Sequence, residues 1–106
     1  MTAARQVAWT PQARLRLAEI LRVIRDDAGQ EVSAKWGQEL LHAPDILADH
    51  PYIGQMVPEI GRNEIREIGI APYRIIYRVR RGGCIVVSVR HNRQLVTRKN
   101  LDQEQP

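Results

Sequence analysis

The chain has 106 residues, 43% apolar and 26% charged, with a formal net charge of +4. These are the proportions of one ordinary globular domain, able to bury about 60–70% of its unfolded surface without staples. No apolar run approaches the roughly 18 residues that span a membrane, and the single cysteine, Cys84, permits no internal disulfide. The N-terminal residues show no charged-then-apolar signal pattern. No Cys/His cluster has metal-ligand spacing, so neither metal nor cofactor is expected. A reduced, cytoplasmic protein is the expectation.

In chain order, Arg5 to Trp9 reads as a short strand with Val7 and Trp9 on one face. Thr10-Pro11 then opens a helix, threonine as cap and proline in the first turn. Ala13, Leu17, Ile20, Leu21, Ile24 and Ala28 recur along it at helical spacing, while Arg14, Arg22, Arg25 and Asp26 face outward. Ala28-Gly29 supplies the stop. A second helix carries Val32, Trp36, Leu40, Ala43 and Leu47 as its stripe. Pro44 cannot donate to that helix, which predicts a kink or restart between His42 and Asp45. The short link makes the pair an antiparallel helical hairpin.

His50-Pro51-Tyr52-Ile53-Gly54 ends the hairpin, and residues 54–61 read as an irregular connection. Glu64 to Ile70 is predicted as a strand. Two clearer strands, 73–80 and 84–90, flank Gly82-Gly83. Polar residues from Asn100 to Pro106 suggest a frayed end. The domain is expected to span residues 1–95, with 96–106 as a flexible tail.

Charge is distributed unevenly. Residues 1–61 hold six basic against eight acidic groups, a net of −2, and residues 62–99 hold ten against two, a net of +8. Fourteen of the sixteen basic residues are arginine. In Tyr73-Arg74-Ile75-Ile76-Tyr77-Arg78-Val79-Arg80 apolar and positive side chains alternate with period two, which marks a strand with one greasy and one cationic face. A basic excess of this kind points to a nucleic acid or an acidic protein as partner.

The register of the hairpin follows from burial. A two-residue Gly-Gly loop would mix arginines with Ile85, Val87 and Val89. A three-residue loop, Arg81-Gly82-Gly83, pairs Arg80 with Cys84 instead. Tyr73, Ile75, Tyr77, Val79, Ile85, Val87 and Val89 then share the helix-facing side. Arg74, Arg78, Arg80 and Arg90 share the other, with Ile76, Val86 and Ser88 between them. A one-residue slip flips every side chain, so the second register is predicted. It sets Arg74 opposite Arg90, a like-charge pair costing up to roughly 1 kcal/mol. An anion or acidic partner on an open face is the expected offset.

The ordered set of motifs resembles the RelE/ParE superfamily of bacterial toxins. Val7-Ala8-Trp9-Thr10-Pro11-Gln12-Ala13 is similar to that family's opening strand and polar-Pro-x-Ala helix start. His50-Pro51-Tyr52-Ile53-Gly54 resembles its Pro-x-x-Gly. Tyr73-Arg74-Ile75-Ile76-Tyr77 resembles its Tyr-Arg-apolar-apolar-Tyr strand, and Val89-Arg90-His91-Asn92-Arg93 its closing Val-x-His-x-Arg. The resemblance implies an α+β fold, with a helical hairpin packed on one face of a small, mainly antiparallel sheet in the order β-α-α-β-β-β. It also implies a toxin of a two-component system, neutralised by an antitoxin whose C-terminal segment wraps it.

Two activities occur on that fold. RelE-like members cleave mRNA on the ribosome, and ParE-like members block DNA gyrase without cleaving RNA. A ribonuclease needs an acid, a base and cations around the phosphate; Arg74, Arg90 and His91 are the candidates. RelE-like enzymes also use lysines near the sheet and a late aromatic. Here the lysines are Lys35 and Lys99 alone, and no aromatic follows Tyr77. The long hairpin and missing lysines favour the ParE branch, with no catalytic residue and with Arg74, Arg78, Arg80, Arg90 and Arg93 as antitoxin- or target-binding positions. An inactive relative acting as a basic binding module is the remaining alternative. Trp9 and Trp36 read as core residues, His42 and His50 as exposed or capping, and Asp26-Asp27 as a solvated face. Gly82-Gly83 is turn chemistry, and Cys84 has no base near it in sequence.

Overall fold

The computed structural model describes residues 6–92, 94, 96 and 97. Strand β1 (Gln6–Trp9) leads into helix α1 (Pro11–Ala28) through Thr10, whose hydroxyl accepts from the Ala13 amide at 3.0 Å. Thr10 is fully buried, and its own amide donates to the Val86 carbonyl, so the cap also fixes the helix to the sheet. Gly29, at φ 96°, separates α1 from α2 (Gln30–His42). A 3₁₀ turn over Ala43–Ala48 follows where Pro44 interrupts the helical bonds.

Strands β2 (Gln55–Met56), β3 (Ile65–Ile70), β4 (Tyr73–Arg80) and β5 (Gly83–His91) complete a five-stranded sheet ordered β1-β5-β4-β3-β2. Only β1 and β5 pair in parallel; the other three pairs are antiparallel. The fold class expected from the sequence is therefore present. The two-residue β2, inside the stretch read as irregular, is an addition.

The hairpin packs Ala13, Leu17, Leu40 and Leu47 against Ile75, Tyr77, Cys84, Val86 and Val89. Trp9 and Trp36 lie half-buried at its edge. Beyond Leu21 the hairpin outruns the sheet: none of residues 22–32 is buried, and Val23 and Val32 are 54% and 40% exposed. Val32 and Ala28, expected in the core, are therefore on the surface. Ser33 braces the two helices by donating to the Leu21 carbonyl at 2.7 Å.

The hairpin register combines two pairings. Arg74 stands opposite Arg90, as predicted, and Ile76 opposite Ser88. Nearer the turn the register shifts by one: Tyr77 faces Val86, Val79 faces Cys84 and Arg80 faces Gly83. A bulge at Val87 absorbs the difference. The loop is thus Arg81-Gly82, with Gly82 at φ 85°. The predicted three-residue loop is corrected, and with it the faces: Val86 points to the helices, while Ile85 and Val87 point away.

The second face is not open. Ile76, Ile85 and Val87 pack there with Val57, Ile65 and Val96. Two segments form the cover: the turn from Val57 to Gly61, closed by the Gly61 amide on the Val57 carbonyl, and the stretch containing Gln94 and Val96. Val96 is 2% exposed, so packed structure continues past residue 95, where the tail was expected to begin. Residues 98–106 lie outside the described residues.

Candidate functional site

Two clusters of arginine occupy opposite ends of the β4–β5 ladder. At the end near Tyr73, Arg74 is 8% exposed and held by two carboxylates. Its Nη1 and Nη2 reach Glu59 at 2.7 and 3.0 Å, and its Nε donates to Glu67 at 2.7 Å with Nη2 joining the same oxygen. Nη1 also donates to the Gln94 carbonyl at 3.3 Å. Glu59 in turn accepts from the Val96 amide at 3.0 Å, which ties the chain after β5 to the turn beneath the sheet. The hydrogen bond from Arg74 holds the Glu59 carboxyl at a pKa of about 2, aided by Val96 and opposed by partial burial. The same bonds raise the Arg74 pKa against the effect of burial.

Arg90, 6% exposed, lies across the ladder from Arg74 and donates to Ser88 Oγ at 2.9 Å. The anionic offset for this like-charge pair was expected from a partner outside; Glu59 and Glu67 supply it from within. Arg74 and Arg90 are thus not the open cations that the alternation suggested.

His91 is on the other side of the sheet. Its ring meets Tyr73 edge-on at 5.9 Å, and Tyr73 meets Trp36 at 5.3 Å, an aromatic ladder against the helices. The ribonuclease set is therefore not brought together: Arg74 and Arg90 are buried on one face, and His91 packs on the opposite one.

The Pro-x-x-Gly segment is explained by Tyr77. The buried hydroxyl donates to the Pro51 carbonyl at 2.8 Å and accepts from the Gly54 amide at 3.0 Å. A Cβ on Gly54 would stand 2.4 Å from the Glu67 carbonyl oxygen and 2.7 Å from that hydroxyl, so only glycine fits. Burial raises the Tyr77 pKa. Arg66 adds a second fastening, donating from Nη1 to the Gly54 carbonyl at 2.6 Å and lying 5.0 Å from the centre of the Tyr52 ring.

At the turn end the arginines face solvent. Arg80 and Arg81 are exposed, and no hydrogen bond or ion pair ties either side chain among the described residues. Arg78 is half-buried, its Nε buried without a partner, and its charge helps to lower the Glu64 pKa behind Glu64's own backbone bond and Arg62. Tyr52, Val79, Arg80, Arg81 and Gly82 help line a cleft of about 370 Å³. Arg93 lies outside the described residues. Glu59, Glu67 and Arg66 were not singled out in the sequence, and Tyr77 was named there only as part of its strand. Glu67 carried a signal, being one of only two acids among residues 62–99, on the strand beside Arg74.

Residues 7–96 match the family model described as ParE toxin of the type II toxin–antitoxin system parDE. The chain belongs to the ParE toxin family. Toxin ParE1 from two strains of Mycobacterium tuberculosis, CDC 1551 / Oshkosh and ATCC 25618 / H37Rv, is 36% identical over 90 residues, covering 84% of this chain and 91% of each relative. A solved structure of the chromosomal ParDE system from P. aeruginosa superposes with a TM-score of 0.71 at 18% identity, covering 83% of this chain and 96% of that one. That likeness supports the α+β fold of this ParE-type toxin. Among the described residues no His, Cys, Asp and Glu group is arranged to hold a metal ion, and no helix is long and apolar enough to cross a membrane.

Proposed function

We propose that this ParE-family toxin acts by inhibiting DNA gyrase, without catalysis of its own, and is neutralised in the cytoplasm by a cognate antitoxin. One observation carries the choice of mechanism over RNA cleavage: the guanidinium groups that would grip a phosphate, Arg74 and Arg90, are buried, with Arg74 held by Glu59 and Glu67. His91, the candidate acid or base, is across the sheet from them. General acid–base work needs the proton-transfer group within about 3 Å of the reacting atom, or one water away. Arg74 and Arg90 then serve the toxin by holding its sheet together, and the half-buried Arg78 and the exposed Arg80 are left as contacts for antitoxin or target.

Two assays run side by side test the reading. Purified toxin should inhibit supercoiling by gyrase and leave ribosome-bound mRNA intact, and an antitoxin encoded beside it should restore supercoiling. Cleavage of mRNA at codons with gyrase unaffected would overturn it.

A further inference from the structure

We propose that the cleft at the β4–β5 turn binds a single strand of nucleic acid, with Arg80 and Arg81 taking backbone phosphate and Tyr52 offering its ring to a base. This goes beyond the choice of target and does not depend on it. No carboxylate lines the cleft, and its two guanidinium groups have no protein anion assigned to them among the described residues. Arginine's planar fork suits phosphate oxygens, which it can engage with two parallel N–H bonds. Gly82 leaves the cleft wall without a side chain, and nothing lies within 4 Å of where its Cβ would be.

Tyr52 is what favours a nucleotide over an acidic peptide. It is 52% exposed beside the two arginines, and Arg66 fixes the ring by lying against it while bonded to the Gly54 and Asn63 carbonyls. A carboxylate side chain needs only the cations; a fixed aromatic surface beside cations is what an unstacked base requires. The volume of about 370 Å³ falls in the range of small-ligand sites and is too small for a duplex to enter.

The test titrates full-length protein into a fluorescently labelled single-stranded oligonucleotide of about 12 nucleotides, reading anisotropy across a salt series. The wild type should bind. Arg80→Ala/Arg81→Ala should lose about tenfold or more at low salt, with the log–log salt slope reduced by about 1.4, near 0.7 for each phosphate contact removed. Tyr52→Leu should weaken binding and leave the slope unchanged. Should the alanines lower the thermal midpoint, Arg80→Gln/Arg81→Gln repeats the comparison with side-chain length kept. Equal affinity and slope in wild type and double variant overturns the proposal. So does a duplex of the same length binding as tightly as the single strand. A polyglutamate peptide that binds where the oligonucleotide does not overturns it in favour of an acidic protein segment. Neither gyrase nor antitoxin enters the assay, so its failure is distinct from failure of the target assignment.

Discussion

Arg74 and Arg80 leave the same strand on the same side of the sheet, six residues apart, and meet opposite surroundings. Arg74 is buried and shared between two carboxylates, whereas Arg80 projects from the turn into solvent. Each follows an apolar residue that faces the helices, Tyr73 before Arg74 and Val79 before Arg80, so the alternation alone does not tell them apart. What separates them is the chain laid over the sheet: the Val57–Gly61 turn and the segment around Val96 cover one end of that face and stop short of the other. Alternation decides which face a side chain occupies; distant segments decide whether that face is wet. A guanidinium at the covered end is part of the fold, and one at the bare end is available to a partner.

The sharpest way to break the contrast is truncation at the covered end. Arg74→Ala leaves Glu59 and Glu67 without their cation beside a buried Arg90. Removing one partner of a buried pair costs about 3–5 kcal/mol, and about 3 is expected because part of Glu59 still reaches water. Urea unfolding should show it as a lower midpoint with little change in slope. A loss below about 0.5 kcal/mol would mean that Arg74 behaves as a surface residue after all. Acid probes the same hub from the other side. Glu59 has a folded pKa of about 2 against an ordinary 4.5, so its contribution is complete above about 4.5 and is lost as pH falls toward 2. Unfolding midpoints measured from pH 6 down to 3 should decline, and Glu59→Gln should flatten the decline. The effect is smaller than the truncation because Arg74 keeps Glu67.

Tyr77→Phe comes next. It leaves the Gly54 amide and Pro51 carbonyl without their shared partner, at a cost of about 1–3 kcal/mol for the buried groups. Hydrogen exchange should speed at Gly54 more than at the Thr10 cap. Uniform acceleration would show that the Pro51–Gly54 segment is held by packing alone.

Much of this was legible in the residues. The Thr10-Pro11 cap, the break at Pro44, the extents of β3 and β4, and the facing of Arg74 and Arg90 all follow from local chemistry, because each depends on neighbours in sequence or on a period. The loop register was not legible. Cys84-Ile85-Val86-Val87 is apolar throughout, so no polar residue marks which side is which, and a bulge can enter without exposing anything. Ile76 carries the sign of a covered face. An isoleucine between arginines on the face expected to be open, it is fully buried in a second core. Glu59 sat in a stretch without periodicity, and only the tertiary fold brings it 15 positions along the chain to Arg74.

At the bare end the expected change is the smallest. Arg80→Ala and Arg81→Ala remove no hydrogen bond or ion pair made among the described residues, and both positions are exposed. Substitutions at such sites usually alter stability by about 0.5 kcal/mol or less. Removing charge from a stretch with a net of +8 also relieves some repulsion, so the sign can turn slightly favourable, most visibly at low salt. Thermal midpoints of the two variants at low and high salt measure this directly. A drop approaching that of Arg74→Ala would place Arg80 in an internal network, and the distinction between the two ends of the strand would disappear. A negligible change, together with lost partner binding, is the result a surface reserved for contact requires.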